Sequence, residues 1–355
     1  MTTAEEFIEQ YIEEFDKANT DNVFQNTLHC GSTRCPAKQN QINWINSPPS
    51  SLNKDFSLFI AKFSASLLYP IERADITNTE IKLPKIFNIV ENIKQLTDEN
   101  DQFYCTILTN NNNVYICIRG LQTKIDGEEA LELNQEDLTF TDSNSNKSYT
   151  IGVQTGFLKI YESVITQITN VINKINGKKD KNILIIGHSL GATTSVLLSI
   201  YLTLQNYNLV TYTFGSPRIG DEALSTLVNN LNITIYNILN VCDLIPTLPY
   251  SVSPYFNPLI ADKNPFIYKQ CGNLIYFKDN WKSIMSNHLL PVYMDNLDKM
   301  DNVNSSSLKD YPNYHFIDSK IEKHNNTPLI LGLSIGIPVV GIIILLMYKY
   351  IRISK

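Results

Sequence analysis

The stretch Lys181-Asn182-Ile183-Leu184-Ile185-Ile186-Gly187-His188-Ser189-Leu190-Gly191-Ala192-Thr193-Thr194-Ser195 decides the reading of this chain. Ile183 to Ile186 form an apolar, β-branched run of the kind that makes a short buried strand. Gly187 and Gly191 then allow a sharp backbone turn that side chains at those positions would obstruct. After the turn, Val196, Leu197, Ile200 and Leu204 recur at helical spacing. A serine between two glycines at the junction of strand and helix is a nucleophile elbow, with the Ser189 hydroxyl lifted above the edge of a sheet.

Working outward, strand and helix patterns alternate on both sides of this turn. Strands are expected at Ile86 to Leu96, Phe103 to Leu108 and Val114 to Ile118, the last two joined as a hairpin by Asn110 to Asn113. Phe157, Tyr161, Val164, Ile165, Ile168, Val171, Ile172 and Ile175 make a long apolar helical stripe. Beyond the turn come a strand (Leu209 to Phe214), a short helix (Asp221 to Leu231) and a strand (Ile233 to Val241). A helix over Asp55 to Tyr69 precedes them. This order predicts an α/β fold with a largely parallel sheet covered by helices on both faces. Ligands of such sheets sit at the carboxyl ends of the strands, where Ser189 falls.

A serine hydroxyl is a weak nucleophile near neutral pH and needs a base, itself held by a third group. The chain has five histidines. His29 precedes the sheet, and His188 lies on the same tight turn as Ser189, where its ring cannot easily face the hydroxyl. His288, His315 and His324 remain, and His288 is favoured because the others fall in a polar linker and beside an apolar segment. Asp243, directly after a strand, is the favoured acid over Asp221, Asp262 and Asp279. No His or Cys pair has metal-ligand spacing, so neither a metal nor another cofactor is expected.

Composition narrows the classes further. A net charge of -6 with no long basic cluster before the C-terminus leaves no electrostatic footprint for nucleic acid. Cys117 and Cys242 lie in apolar runs and are expected to be buried thiols, whereas Cys30 and Cys35 sit in a polar loop. Sequons stand at Asn146, Asn232 and Asn304.

Gly187-His188-Ser189-Leu190-Gly191, Thr213-Phe214-Gly215-Ser216-Pro217-Arg218, Asn240-Val241-Cys242-Asp243-Leu244-Ile245-Pro246 with Pro249, His288 with Tyr293, and Gly156-Phe157 occur in this order. Together they resemble the class 3 (fungal-type) triacylglycerol lipases of the α/β-hydrolase fold, over about residues 55 to 293. The resemblance implies Ser189 as nucleophile, His288 as base and Asp243 as its orienter. It also implies an oxyanion hole built from the backbone N–H groups of Leu121 and Leu190. Two departures stand out. Leu121 follows Arg119-Gly120 where the family usually has Thr or Ser, so the backbone donor is kept and the hydroxyl is lost. Gln154 and Thr155 replace the usual His before Gly-Phe, and the lid-position segment after Leu121 is acidic rather than amphipathic.

The far end differs in kind. Pro328 to Met347 carries no charged residue and is long enough, at about 1.5 Å per residue, to cross a bilayer. Gly332 and Gly336 within it suggest a weak homodimer contact. The expected organisation is therefore an N-terminal helix and loop (1–54) starting at a capping box from Thr2 to Glu5, a hydrolase domain (55–300), a polar linker (301–327), a transmembrane helix (328–347) and a short basic tail (348–355). With so few residues after Met347 and no signal peptide, the expectation is a tail anchor with the catalytic domain on the cytosolic face, although Lys349, Arg352 and Lys355 favour the opposite orientation. The leading reading is a membrane-anchored serine hydrolase acting on acyl esters of lipids, acylglycerol or phospholipid. The alternative is a lipase-like membrane scaffold or lipid-binding protein with weak or no catalysis.

Overall fold

The computed structural model describes residues 47–73, 88–95, 102–121, 126, 129–130, 132, 134–249, 251–253, 266–280 and 286–299. The N-terminal helix, Cys30 and Cys35, Asn304, His315, His324, the linker, the apolar stretch 328–347 with Gly332 and Gly336, and the basic tail lie outside them.

Helix α1 (Lys54–Arg73) leads to strands β1 (Asn88–Gln95), β2 (Gln102–Thr109) and β3 (Asn113–Ile118). A two-stranded hairpin follows, β4 (Gln135–Thr141) and β5 (Ser148–Gln154), and runs into α2 (Thr155–Asn176). The centre is β6 (Asn182–His188), α3 (Leu190–Leu204), β7 (Leu209–Phe214), α4 (Glu222–Asn230) and β8 (Ile235–Asn240). Two short strands, β9 (Val252–Ser253) and β10 (Phe266–Ile267), precede β11 (Asn273–Phe277), and α5 (Leu290–Lys299) ends the described chain. The main sheet has seven strands in the order β1-β2-β3-β6-β7-β8-β11. β1, β2 and β3 pair antiparallel, and every pair from β3 to β11 is parallel.

Strand periodicity sorts the core into two layers. Val114, Ile116 and Ile118 point to one face with Ile183 and Ile185, against α2, α3 and α4. Tyr115, Cys117, Leu184 and Ile186 point to the other, against Phe56, Ile60 and Phe63 of α1 and Val292, Met294 and Leu297 of α5. Alternation with both sets buried is what a sheet covered on both faces requires. Helix α3 packs on the sheet beside α2 and is buried on nearly every face, as an enclosed helix must be. Two of its hydroxyls are satisfied within the helix: Thr193 donates to the Leu190 carbonyl at 2.7 Å and Ser195 to that of Gly191 at 2.8 Å.

The hairpin β4–β5, strand β11 and helix α5 are absent from the sequence reading. Cys242 lies in the turn after β8 and is half-buried, not inside a strand as expected, whereas Cys105, Cys117 and Cys271 are buried free thiols. Among the described residues no helix is long and apolar enough to cross a membrane. The 22-residue α2 has the length, but its outer face exposes Lys159, Glu162 and Lys174.

The turn from β6 to α3 needs glycine for contact reasons. A Cβ on Gly191 would lie 2.2 Å from the Arg119 carbonyl oxygen, and one on Gly187 would lie 2.5 Å from that of Gly191. The start of α3 is therefore packed directly on the end of β3. Gly191→Ala is expected to destabilise the protein by about 1–3 kcal/mol through overpacking, read as a lower midpoint in denaturant unfolding with an unchanged slope.

Candidate active site

The backbone at Ser189 has φ 55° and ψ −125°, a left-handed conformation that a side chain disfavours. Hydrogen bonds on both sides hold it there. Its N–H donates to the Phe214 carbonyl of β7 at 2.9 Å, and its own carbonyl accepts from Ala192 at 2.9 Å. The hydroxyl thus stands at the carboxyl end of β6, where the edge of the sheet opens.

Asp243 and His288 converge on it from two loops. Asp243 follows β8 and is buried, and His288 ends the short 3-10 turn Ser286–His288 that leads into α5. Ser189 Oγ lies 2.6 Å from His288 Nε2, and His288 Nδ1 lies 2.6 Å from Asp243 Oδ2. A carboxylate can only accept, so His288 carries its proton on Nδ1 and leaves Nε2 free to accept from the serine. The carboxylate is itself oriented. Tyr293 O–H donates to Asp243 Oδ2 at 2.6 Å, and the Ile245 N–H donates to Oδ1 at 2.9 Å. Asn240 ties the loops together, donating to the carbonyls of Asp279 at 2.9 Å and Asn287 at 3.2 Å, while Asn287 donates to that of Cys242 at 2.9 Å.

His188, set aside by the sequence reading because its ring could not face the hydroxyl, faces the base instead. The His188 and His288 rings stack with centroids 4.9 Å apart, and His188 Nε2 donates to the His288 carbonyl at 2.9 Å. Burial, and then the neighbouring His288, push its pKa down to about 3. It therefore stays neutral beside the base and pins the main chain there. The sequence offers no signal for this contact, because it depends on where a turn a hundred residues away comes to rest. Tyr293 was legible only as a spacing from His288.

The two expected oxyanion donors flank the serine. Leu190 opens α3, where the first N–H groups of a helix have no intrahelical acceptor. Leu121 follows Gly120, and a Cβ built on Gly120 would lie 3.2 Å from Ser189 Cβ. Asp126, part of the acidic segment expected over the site, does not face solvent: its carboxylate is buried against Arg119 at 2.6 Å. Among the described residues no group of three or more His, Cys, Asp or Glu side chains is gathered as a metal site would need.

A family model described as Lipase (class 3) matches residues 115–253. Over those residues the chain is similar to the class 3 lipases. A secreted mono- and diacylglycerol lipase of Malassezia globosa is 28% identical over 151 residues, covering 39% of this chain and 50% of that protein. A Rhizomucor miehei lipase is 28% identical over 159 residues, covering 42% and 44%. The solved triacylglyceride lipase of Rhizomucor miehei matches with a TM-score of 0.46 at 18% identity, covering 69% of this chain and 83% of that one. The chain thus spans half or less of the length of these curated relatives.

These comparisons correct one expectation. The cytosol-facing, tail-anchored placement does not hold, because the Malassezia globosa relative and one from Fusarium solani are named as secreted lipases. That placement rested on the uncharged length of 328–347, the few residues after Met347 and the reading of no signal peptide.

The lowered pKa of His188 has a signed consequence. The folded protein leaves the ring neutral down to about pH 3, whereas the unfolded chain protonates it near 6.5. Unfolding therefore takes up a proton in this window, and stability contributed by the neutral ring is lost as pH falls through it. In His188→Gln, whose amide can still donate to the His288 carbonyl, the loss of unfolding free energy between pH 7 and pH 5 is expected to be smaller than in the wild type by about 1–2 kcal/mol. Urea titrations at the two pH values measure it.

Proposed function

We propose that the protein is a serine hydrolase that cleaves the acyl esters of lipids through an acyl-enzyme intermediate. The observation that carries this reading is the continuous hydrogen-bond chain from Ser189 through His288 to Asp243, with both links at 2.6 Å. In the proposed reaction the Ser189 oxygen attacks the ester carbonyl carbon while its proton passes to His288 Nε2. The resulting imidazolium is stabilised by the Asp243 carboxylate, which Tyr293 and the Ile245 N–H keep aimed at Nδ1. The carbonyl oxygen, now negative, is held by the backbone N–H groups of Leu121 and Leu190. Collapse expels the alcohol with a proton from His288, and water then releases the fatty acid by the same path in reverse.

The substrate class is drawn from two supports. Relatives are named as mono- and diacylglycerol lipases, and an Arabidopsis thaliana relative, 24% identical over 189 residues, as a phospholipase A(1). Acylglycerols are the favoured class. The competing reading, a lipase-like protein that binds lipid without turning it over, draws on Leu121, which brings no hydroxyl to the oxyanion.

Ser189→Ala is expected to abolish both p-nitrophenyl ester hydrolysis and covalent labelling by a fluorophosphonate probe, with the unfolding midpoint preserved. Wild-type protein that is folded yet neither labels nor hydrolyses the ester would support the binding protein instead. Tyr293→Phe removes one hydrogen bond to a buried carboxylate and is expected to cost about 1.5–3 kcal/mol of stability and to lower kcat more than it raises KM. Calorimetry and steady-state kinetics on the same preparation separate the two effects.

A further inference from the structure

Arg119, the residue after β3, is fully buried, and so is its partner Asp126. Its guanidinium makes a fan of contacts. Nε donates to the Phe103 carbonyl at 2.5 Å, Nη1 to the Asp126 carboxylate at 2.6 Å and to the Gly120 carbonyl at 2.7 Å, and Nη2 to Gln95 Oε1 at 3.4 Å. The group also lies over the Tyr104 ring, 5.2 Å from its centroid, and the Tyr104 hydroxyl meets Thr194 of α3 at 2.7 Å. Removing two charges from water costs several kcal/mol each, so a pair buried this deeply is a weak source of stability and needs another explanation.

The contact to Gly120 supplies one. The Gly120–Leu121 peptide is trans and planar, so its carbonyl and the Leu121 N–H leave opposite edges of one rigid unit. Fixing the carbonyl against Nη1 fixes the direction of the N–H. Gly120 also lies close to Ser189, since a Cβ built on it would lie 3.2 Å from Ser189 Cβ. We propose that Arg119, locked by Asp126, is a positioning residue that aims the Leu121 N–H at the developing oxyanion. It does through the main chain what Leu121 has no hydroxyl to do. Asp126 therefore acts as the anchor of that arginine. The proposal rests on the Ser189 nucleophile and goes beyond it.

Arg119→Lys tests this, because an ammonium can still face Asp126 but lacks the planar fork that reaches Phe103 and Gly120 together. On a soluble short-chain p-nitrophenyl ester, kcat is expected to fall about tenfold or more, short of the roughly hundredfold or greater loss of deleting an oxyanion donor outright. KM is expected to stay within about threefold, since the interaction strengthens only in the transition state. Adding Leu121→Thr to the Lys variant should recover part of the lost kcat, which a merely structural defect would not allow. If the Lys variant does not fold, Asp126→Asn keeps the shape of the partner and is expected to give a smaller loss of the same kind. A folded Arg119→Lys or Asp126→Asn protein with wild-type kcat, or with only KM raised, overturns the assignment. Fluorophosphonate labelling of the wild type distinguishes the two levels. A wild type that takes no probe and hydrolyses no ester removes the nucleophile and this proposal together. A labelled, active wild type with equally active variants removes only the role of Arg119.

Discussion

One backbone constraint underlies the site: Ser189 must occupy a left-handed conformation that costs a non-glycine residue about 1–3 kcal/mol. That cost is offset by what lies on either side. Upstream, β6 is hydrogen-bonded into the middle of the sheet; downstream, α3 is buried nearly throughout its length. Neither element can shift without exposing apolar surface, so the turn between them has nowhere to relax. Ser189 is left half-buried at the sheet edge while the elements on either side of it are covered.

The remaining groups reach the serine by different means, and their precision differs accordingly. Asp243 sits one turn beyond a sheet strand and accepts from its own loop's Ile245 N–H as well as from Tyr293, so its position is fixed twice. His288 belongs to a short 3-10 turn, the least intrinsically stable element of the three. Its support is lateral: the stacked His188 ring, the carbonyl contact from the same ring, and the start of α5 anchored by Val292 and Tyr293 in the lower core. Phe277 meets Tyr293 edge to face at 5.1 Å, linking the last strand to the group that holds the carboxylate.

How much of this was legible in the sequence follows from the range of the forces involved. The β6–Ser189–α3 unit is local, and its pattern of β-branched run, glycines and helical stripe could be read directly. Strands β1, β2, β3, β6, β7 and β8 were found for the same reason. Asp243 came from its place directly after a strand and His288 from chain order, and both from resemblance. The β4–β5 hairpin went unseen because Gln135 to Thr141 reads as an acidic, polar segment, its strand character coming from pairing with Ser148 to Gln154. Strand β11 has only five residues and is held by its partner β8. Asp126 was read only as part of an acidic segment, because its burial depends on an arginine whose own direction is set by Phe103 and Tyr104.

The cysteines carry a consequence for how this architecture comes apart. Cys105 and Cys117 lie on neighbouring strands but face opposite layers, the first toward α2 and α3, the second toward α1 and α5. Burial pushes both thiols up, that of Cys117 to about 12, so neither is a thiolate while the sheet is covered. Each becomes alkylatable only when the helices over its own side lift away. These two thiols thus act as clocks, one for each side, and the order in which they start tells which layer of helices departs first.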